Sequence, residues 1–152
     1  FPVGGTTGRR TQQTATFDSA GQSITATQTL YLDSSTLAFI GFEGEGACSV
    51  ATSNTALPES GSIGDHGAVF ELSDLASCAN NAGPVGTSSS TWSLESEGGV
   101  GLLCWNLSSV DNAGLQYAST SMCFEITTDG SLADRARIVL SAFGVVISGR
   151  NF

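Results

Sequence analysis

The chain contains no lysine, and its five cations, Arg9, Arg10, Arg135, Arg137 and Arg150, stand against fourteen acids for a formal net charge of −9. A field of that sign repels phosphate, which argues against nucleic acid and anionic membrane as partners. Charged residues of both signs make up only 12% of the sequence, about half the usual share of a soluble chain. Ser, Thr and Gly must therefore supply the surface polarity, and they suit faces that pack against something. Long apolar runs are missing as well. The longest, Ile138 to Ile147, is broken by Ser141 and Gly144 and reaches about half the length a bilayer span requires, so the domain is not expected to be membrane-embedded.

Chemistry is short of parts. The only histidine is His66, in Gly64-Asp65-His66-Gly67, and no GxSxG elbow accompanies it. A nucleophile needs a base within hydrogen-bond reach, and Asp65, as a strand neighbour, points away from His66. The close carboxylates, Glu43 with Glu45 and Glu95 with Glu97, adjoin glycines and read as hairpin ends, as do Asp111-Asn112 and Asp129. No CxxC pair is present, which disfavours zinc. No enzyme activity, cofactor or metal is expected.

What is present is a single domain's length, 152 residues, with four cysteines, Cys48, Cys78, Cys104 and Cys123. Two disulfides are expected, and sequential pairing, Cys48–Cys78 with Cys104–Cys123, closes modest loops. Such bridges belong to an oxidising compartment. The start at Phe1-Pro2 fits a removed leader, so the expected location is secreted or at the cell surface.

Residues 1–12 are rich in Gly, Thr and Arg and offer almost nothing to a core. They read as an extended segment before a β-rich domain over 13–152. From Thr14 onward strand signals dominate. Ser23 to Leu32 alternates, with Ile24, Ala26, Leu30 and Leu32 on one face and a Thr-rich set on the other. Leu37–Phe42, Ala47–Thr52, Ala68–Leu72, Thr91–Glu95, Val100–Leu107, Leu115–Ile126 and Arg137–Ser148 follow, with loops at 54–65 and 79–90 and a short helix only at Glu71–Cys78. The expected fold is all-β, an antiparallel sandwich or barrel of about eight or nine strands.

The final stretch breaks the period-2 rule. Ile138, Leu140, Ala142 and Val146 fall on one side of a continuous strand, Val139, Phe143, Val145 and Ile147 on the other, and both sides are apolar. Both then need cover, from a loop or from another molecule. Two further surface features stand out. Trp92, between Thr91 and Ser93, is a candidate glycan contact, whereas Trp105, beside Cys104, is expected to pack on a disulfide. Asn106-Leu107-Ser108 has the form of an N-glycosylation acceptor.

Cys123-Phe124-Glu125-Ile126, the turn at Asp129-Gly130 and the run Ala136 to Ile147 together resemble the C-terminal strands of type IV pilin-like (minor pilin or pseudopilin) globular domains. That family begins with a long apolar helix, and Pro2-Val3-Gly4-Gly5 does not continue as one. The resemblance implies a structural subunit of an extracellular, pilus-like filament or fimbrium concerned with cell adhesion. Its helix would come from a separate chain, or assembly would proceed by strand addition through Phe1 and Val3. An apolar interface over Val139, Phe143, Val145 and Ile147 would serve either mode. The alternative is a secreted glycan- or surface-binding β-sandwich module using Trp92.

Overall fold

A computed structural model of the chain describes residues 8–19, 22–44, 47–78 and 83–150. Phe1 and Val3 lie outside the described residues. Ten strands follow in order: β1 Gly8–Ser19, β2 Gln22–Asp33, β3 Phe39–Gly44, β4 Ala47–Asn54, β5 His66–Leu75, β6 Pro84–Glu97, β7 Val100–Asp111, β8 Gln116–Ile126, β9 Leu132–Ala142 and β10 Val145–Arg150. They form one antiparallel sheet whose spatial order repeats the chain order from β1 to β10. The all-β, antiparallel, disulfide-bonded expectation holds, and both bridges join the expected pairs, Cys48–Cys78 and Cys104–Cys123. The strands make a single meander that does not close, with β1 and β10 as its edges.

Three local readings change. Glu71 to Leu75, read as helix, continues β5, because alternating Leu72 and Asp74 face inward there. The segment 84–90, read as loop, is the first half of β6: its serines alternate buried and exposed, and a strand of small hydroxyl residues carries a weak apolar signal. The last long strand is two strands. Phe143 and Gly144 form a two-residue turn with φ of 49° and 82°, and Ala142 pairs with Val145. Gly98 and Gly99 make the same kind of turn between β6 and β7, with φ of 61° and 82°. Positive φ at both central residues gives the type I′ hairpin whose twist matches that of the strands.

The turn resets the phase of the alternation. Pairing Ala142 with Val145, Leu140 with Ile147 and Ile138 with Gly149 places Val145 and Ile147 on the same face as Ile138, Leu140 and Ala142. Val139 and Val146 share the other face with Ser141 and Ser148. The apparent two-sided strand is thus a hairpin with one strongly apolar face, and the interface expected over Val139, Phe143, Val145 and Ile147 divides, with Val139 on the opposite side.

Carried across the register, one face of the C-terminal half reads Trp92, Leu94, Leu103, Trp105, Leu107, Met122, Phe124, Ile138, Leu140, Val145 and Ile147, with Ser88, Ser90, Ser109 and Thr120 on the same side. The other carries Ser89, Thr91, Ser93, Asn106, Ser108, Ser119, Ser121, Glu95 and Arg137, with the Cys104–Cys123 bridge among them. Cys104 and Cys123 are directly opposite on neighbouring strands and, with Leu102, form a small buried apolar cluster. Trp105 alternates with Cys104 and so lies on the face away from the disulfide that it was expected to cover.

Candidate assembly surface

Among the described residues no second sheet covers the apolar face; only the loop before β5 reaches it, with Gly61 beside Leu94 and Ile63 beside Gly101. Leu103, Trp105, Leu107, Met122, Phe124, Ile138 and Leu140 are half-buried by their own sheet neighbours, and exposure rises toward the edge. Val145 and Ile147 are 61% and 49% exposed, and Phe143 in the turn is 85% exposed.

Phe143 is the most conspicuous side chain of the patch. Its backbone sits in the left-handed region, where a side chain costs roughly 1–2 kcal/mol relative to glycine, although Gly-Gly makes the same turn three hairpins earlier. Its ring stacks on Tyr117 with centroids 6.1 Å apart.

Beneath Tyr117 runs a buried polar chain that sequence reading missed. Asp74 is 6% exposed. Its Oδ1 accepts the Ser49 hydroxyl at 2.6 Å, and its Oδ2 accepts the Ser88 hydroxyl at 2.7 Å and the Tyr117 hydroxyl at 3.1 Å. Ser88 lies 2.7 Å from Ser109. A hydroxyl has one proton to give and Ser88 gives its own to Asp74, so Ser109 must be the donor to Ser88. The five residues come from β4, β5, β6, β7 and β8, and tie the centre of the meander together. The available signal was the inward phase of Asp74 beside Leu72 on β5.

Burial, and then the charge of Asp74 beside it, holds the Tyr117 hydroxyl above the usual tyrosine range. The folded state therefore keeps this proton longer than the unfolded chain does. The contribution is intact below the unfolded value of about 10 and is lost as pH rises through the folded one. Stability should fall on going from about pH 9 to 11, and Tyr117→Phe should flatten that fall in urea titrations. Tyr31, also raised, by burial and by Glu43, should supply a residual slope.

On the polar face Arg137 fills the gap between strands. It donates to Glu97 at 2.7 Å and Glu95 at 3.1 Å, and its Nη2 lies 3.1 Å from Cys123 Sγ. The i, i+2 spacing of Glu95 and Glu97 does put both carboxylates on one face, where they grip an arginine. Glu95, Cys104 and Cys123 each bring a ligand-type atom within 4.8 Å of the others, but both sulfurs are bonded to each other and a guanidinium stands among them, which is no cradle for a cation.

The other sequence candidates are placed as follows. Trp92 is buried, at 7% exposure, against Gly67, where even a Cβ would stand 2.8 Å from the indole nitrogen. It has no open face for a sugar, contrary to its polar flanks, because those flanks point to the opposite side of β6. A shallow trough of about 390 Å³ on the polar face is lined by Ser89, Thr91, Asn106, Ser108, Ser119 and Ser121 among others, with no aromatic ring. Asn106 lies mid-strand in β7, half-buried, its amide 3.4 Å from the Ser93 hydroxyl. His66 is exposed and contacts the Gly64 carbonyl at 3.2 Å, while the Asp65 carboxylate accepts the Ser62 amide. Asp111 and Asp129 accept amides of their own turns, and hydrogen bonds, first from Thr127, hold Asp129 below the usual carboxylate range.

No helix among the described residues is long and apolar enough to cross a membrane. No family model, curated protein or solved structure matches the chain.

Proposed function

We propose that this chain is a structural subunit of an extracellular filament or pilus-like surface appendage, and that a second chain covers its apolar sheet face. The observation that carries the reading is that face, running from Leu103 and Trp105 through Met122 and Ile138, all half-buried, to exposed Ile147, with no second sheet over it among the described residues. Antiparallel sheets commonly pack one face and leave the other to water, and the opposite face here is the one carrying Glu95, Glu97 and Arg137. The likeness of residues 123–147 to pilin-like C-terminal strands and the two disulfides, which fit an oxidising setting, agree with it. A helix of apolar stripe, from a pilin-type chain, is the kind of cover such a face fits.

Donor-strand assembly by the N-terminal segment is less favoured. Gly8 to Gln12 already pair with Thr29 to Asp33 of their own chain, so that part of the segment is not free to donate. The glycan-binding alternative loses its aromatic contact with the burial of Trp92.

Met122→Glu tests the proposal. Met122 sits between Trp105 and Ile138 on the apolar face, where a glutamate can reach solvent in the isolated subunit but not under a covering chain. Electron microscopy of native surface material should show filaments containing this protein, and the variant should fold, by circular dichroism, yet fail to enter them. Filaments that incorporate Met122→Glu normally, or native material without filaments, would remove the reading.

A further inference from the structure

We infer that β10 is a self-pairing edge, and that two copies of this chain join antiparallel through it about a two-fold axis at Val146. The two edges of the sheet differ. β1 carries exposed Arg9 and Arg10, the charged kind of edge that resists strand addition. β10 has neither charge nor proline from Val145 through Gly149, and its side chains are all exposed. In a chain of net charge −9, the segment Val145 through Gly149 brings no acidic residue of its own, and the one acid at its end, Glu97, is 3.9 Å from Arg150 of the same chain.

The direction of the backbone groups follows from the hairpin. The two-residue turn makes Ala142 and Val145 a hydrogen-bonded pair, and such pairs alternate along the ladder. Val145, Ile147 and Gly149 therefore address β9, while Val146, Ser148 and Arg150 turn their N–H and C=O groups outward. The Phe143 amide, donated to the Tyr117 carbonyl on β8, confirms the phase: odd-numbered residues at that end of β9 face β8, even-numbered ones face β10.

A two-fold antiparallel pairing needs a residue opposite its own copy. Register follows the apolar pattern, and the apolar triplet Val145, Val146 and Ile147 is centred on Val146. With Val146 opposite Val146 of the second copy, the pair exchanges both its hydrogen bonds, and Val145 and Ile147 face each other's counterparts. The apolar face then runs on across the junction. Phe143 comes to lie toward Gly149 of the second copy, where a side chain would find nothing within 4 Å, so the exposed ring has open ground to cover. Large-over-glycine placement of this kind shields an edge glycine.

Such a contact closes on itself. It makes a dimer and cannot alone propagate a filament, so growth must use the apolar face. The dimer does not depend on the filament reading: purified protein that dimerises through β10, together with native surface material free of filaments, leaves this inference standing and sinks the other.

The test uses the full chain. Light scattering should find a concentration-dependent dimer. Val146→Cys should oxidise to a disulfide-linked dimer, since opposed residues of a hydrogen-bonded pair lie about 5.5 Å apart at Cα, within disulfide range, whereas Ser148→Cys should not. Val146→Pro removes only outward-facing donors, spares the β9–β10 ladder, and should weaken dimerisation about tenfold or more for the loss of two interchain bonds. Unchanged circular dichroism separates that from unfolding. A monomer at every concentration, a dimer insensitive to Val146→Pro, or linkage through Ser148→Cys in place of Val146→Cys would overturn the pairing.

Discussion

Replacing Asp74 by alanine should destabilise the fold by about 3 kcal/mol or more, the range found when one partner of a buried charged network is removed. Three hydroxyls, from Ser49, Ser88 and Tyr117, donate to this carboxylate, and Ser109 donates to one of them. Without the acceptor, Ser49 and Ser88, both nearly fully buried, lose their acceptor far from water. Asp74→Asn tests the reason. It keeps the shape and one acceptor but brings an NH₂ donor against hydroxyl donors, so it should cost less, about 1–2 kcal/mol. Urea denaturation of both variants gives the order. Equal losses for the two would mean that shape rather than acceptor capacity matters, and a loss under about 1 kcal/mol for alanine would show that the network adds little net stability.

The second large effect belongs to the cross-strand bridge. Removing Cys104 and Cys123 together as alanines opens a loop with a sequence separation of 19, for which chain entropy alone predicts about 3 kcal/mol. Both residues are fully buried, so lost packing should bring the total to about 4 kcal/mol. Arg137 is affected too. It loses the sulfur at 3.1 Å while its Nε already lacks a partner. The Cys48–Cys78 bridge closes a longer loop, with a separation of 30, yet Cys78 is half-buried, and its removal should cost the entropic part alone, about 3.5 kcal/mol. Denaturation midpoints of the two double variants decide between the models: a clearly larger loss for Cys48–Cys78 would say that loop length outweighs packing. Domains of this size hold only about 5–15 kcal/mol in total, so either loss is a large share.

Strand class was readable because Thr, Val, Ile and aromatic residues alternate, and cysteine pairing because sequential loops are short. The layer arrangement was not. Period-2 patterns report which face a residue takes, but not whether that face meets a second sheet or nothing. The reading of 137–148 as one strand failed for a definable reason: Phe143-Gly144 lacks the usual Asn-Gly or Gly-Gly signature, so the turn stayed hidden and its phase reset appeared as an apolar residue on every side. Serine hid β6 in the same way, since Ser88 and Ser90 are buried while offering no hydrophobic signal. Trp92 misled because polar neighbours along a strand describe the opposite face. Asp74 became a network only through cross-strand register, which joins positions as far apart as Ser49 and Tyr117.

Chain order and strand order coincide from β1 to β10, and this governs how the chain bears load. Tension applied at the two ends of the sheet reaches β1 and β10 at opposite edges and opens ladder bonds one after another, as a zipper does, instead of shearing many at once. The outer strands yield first. Peeling from the β1 side meets the Cys48–Cys78 tie at β4, and peeling from the β10 side meets Cys104–Cys123 once β9 is gone. Residues between each pair of cysteines are withheld from the extensible length, so the chain stretches at its margins while its middle keeps both ends tethered.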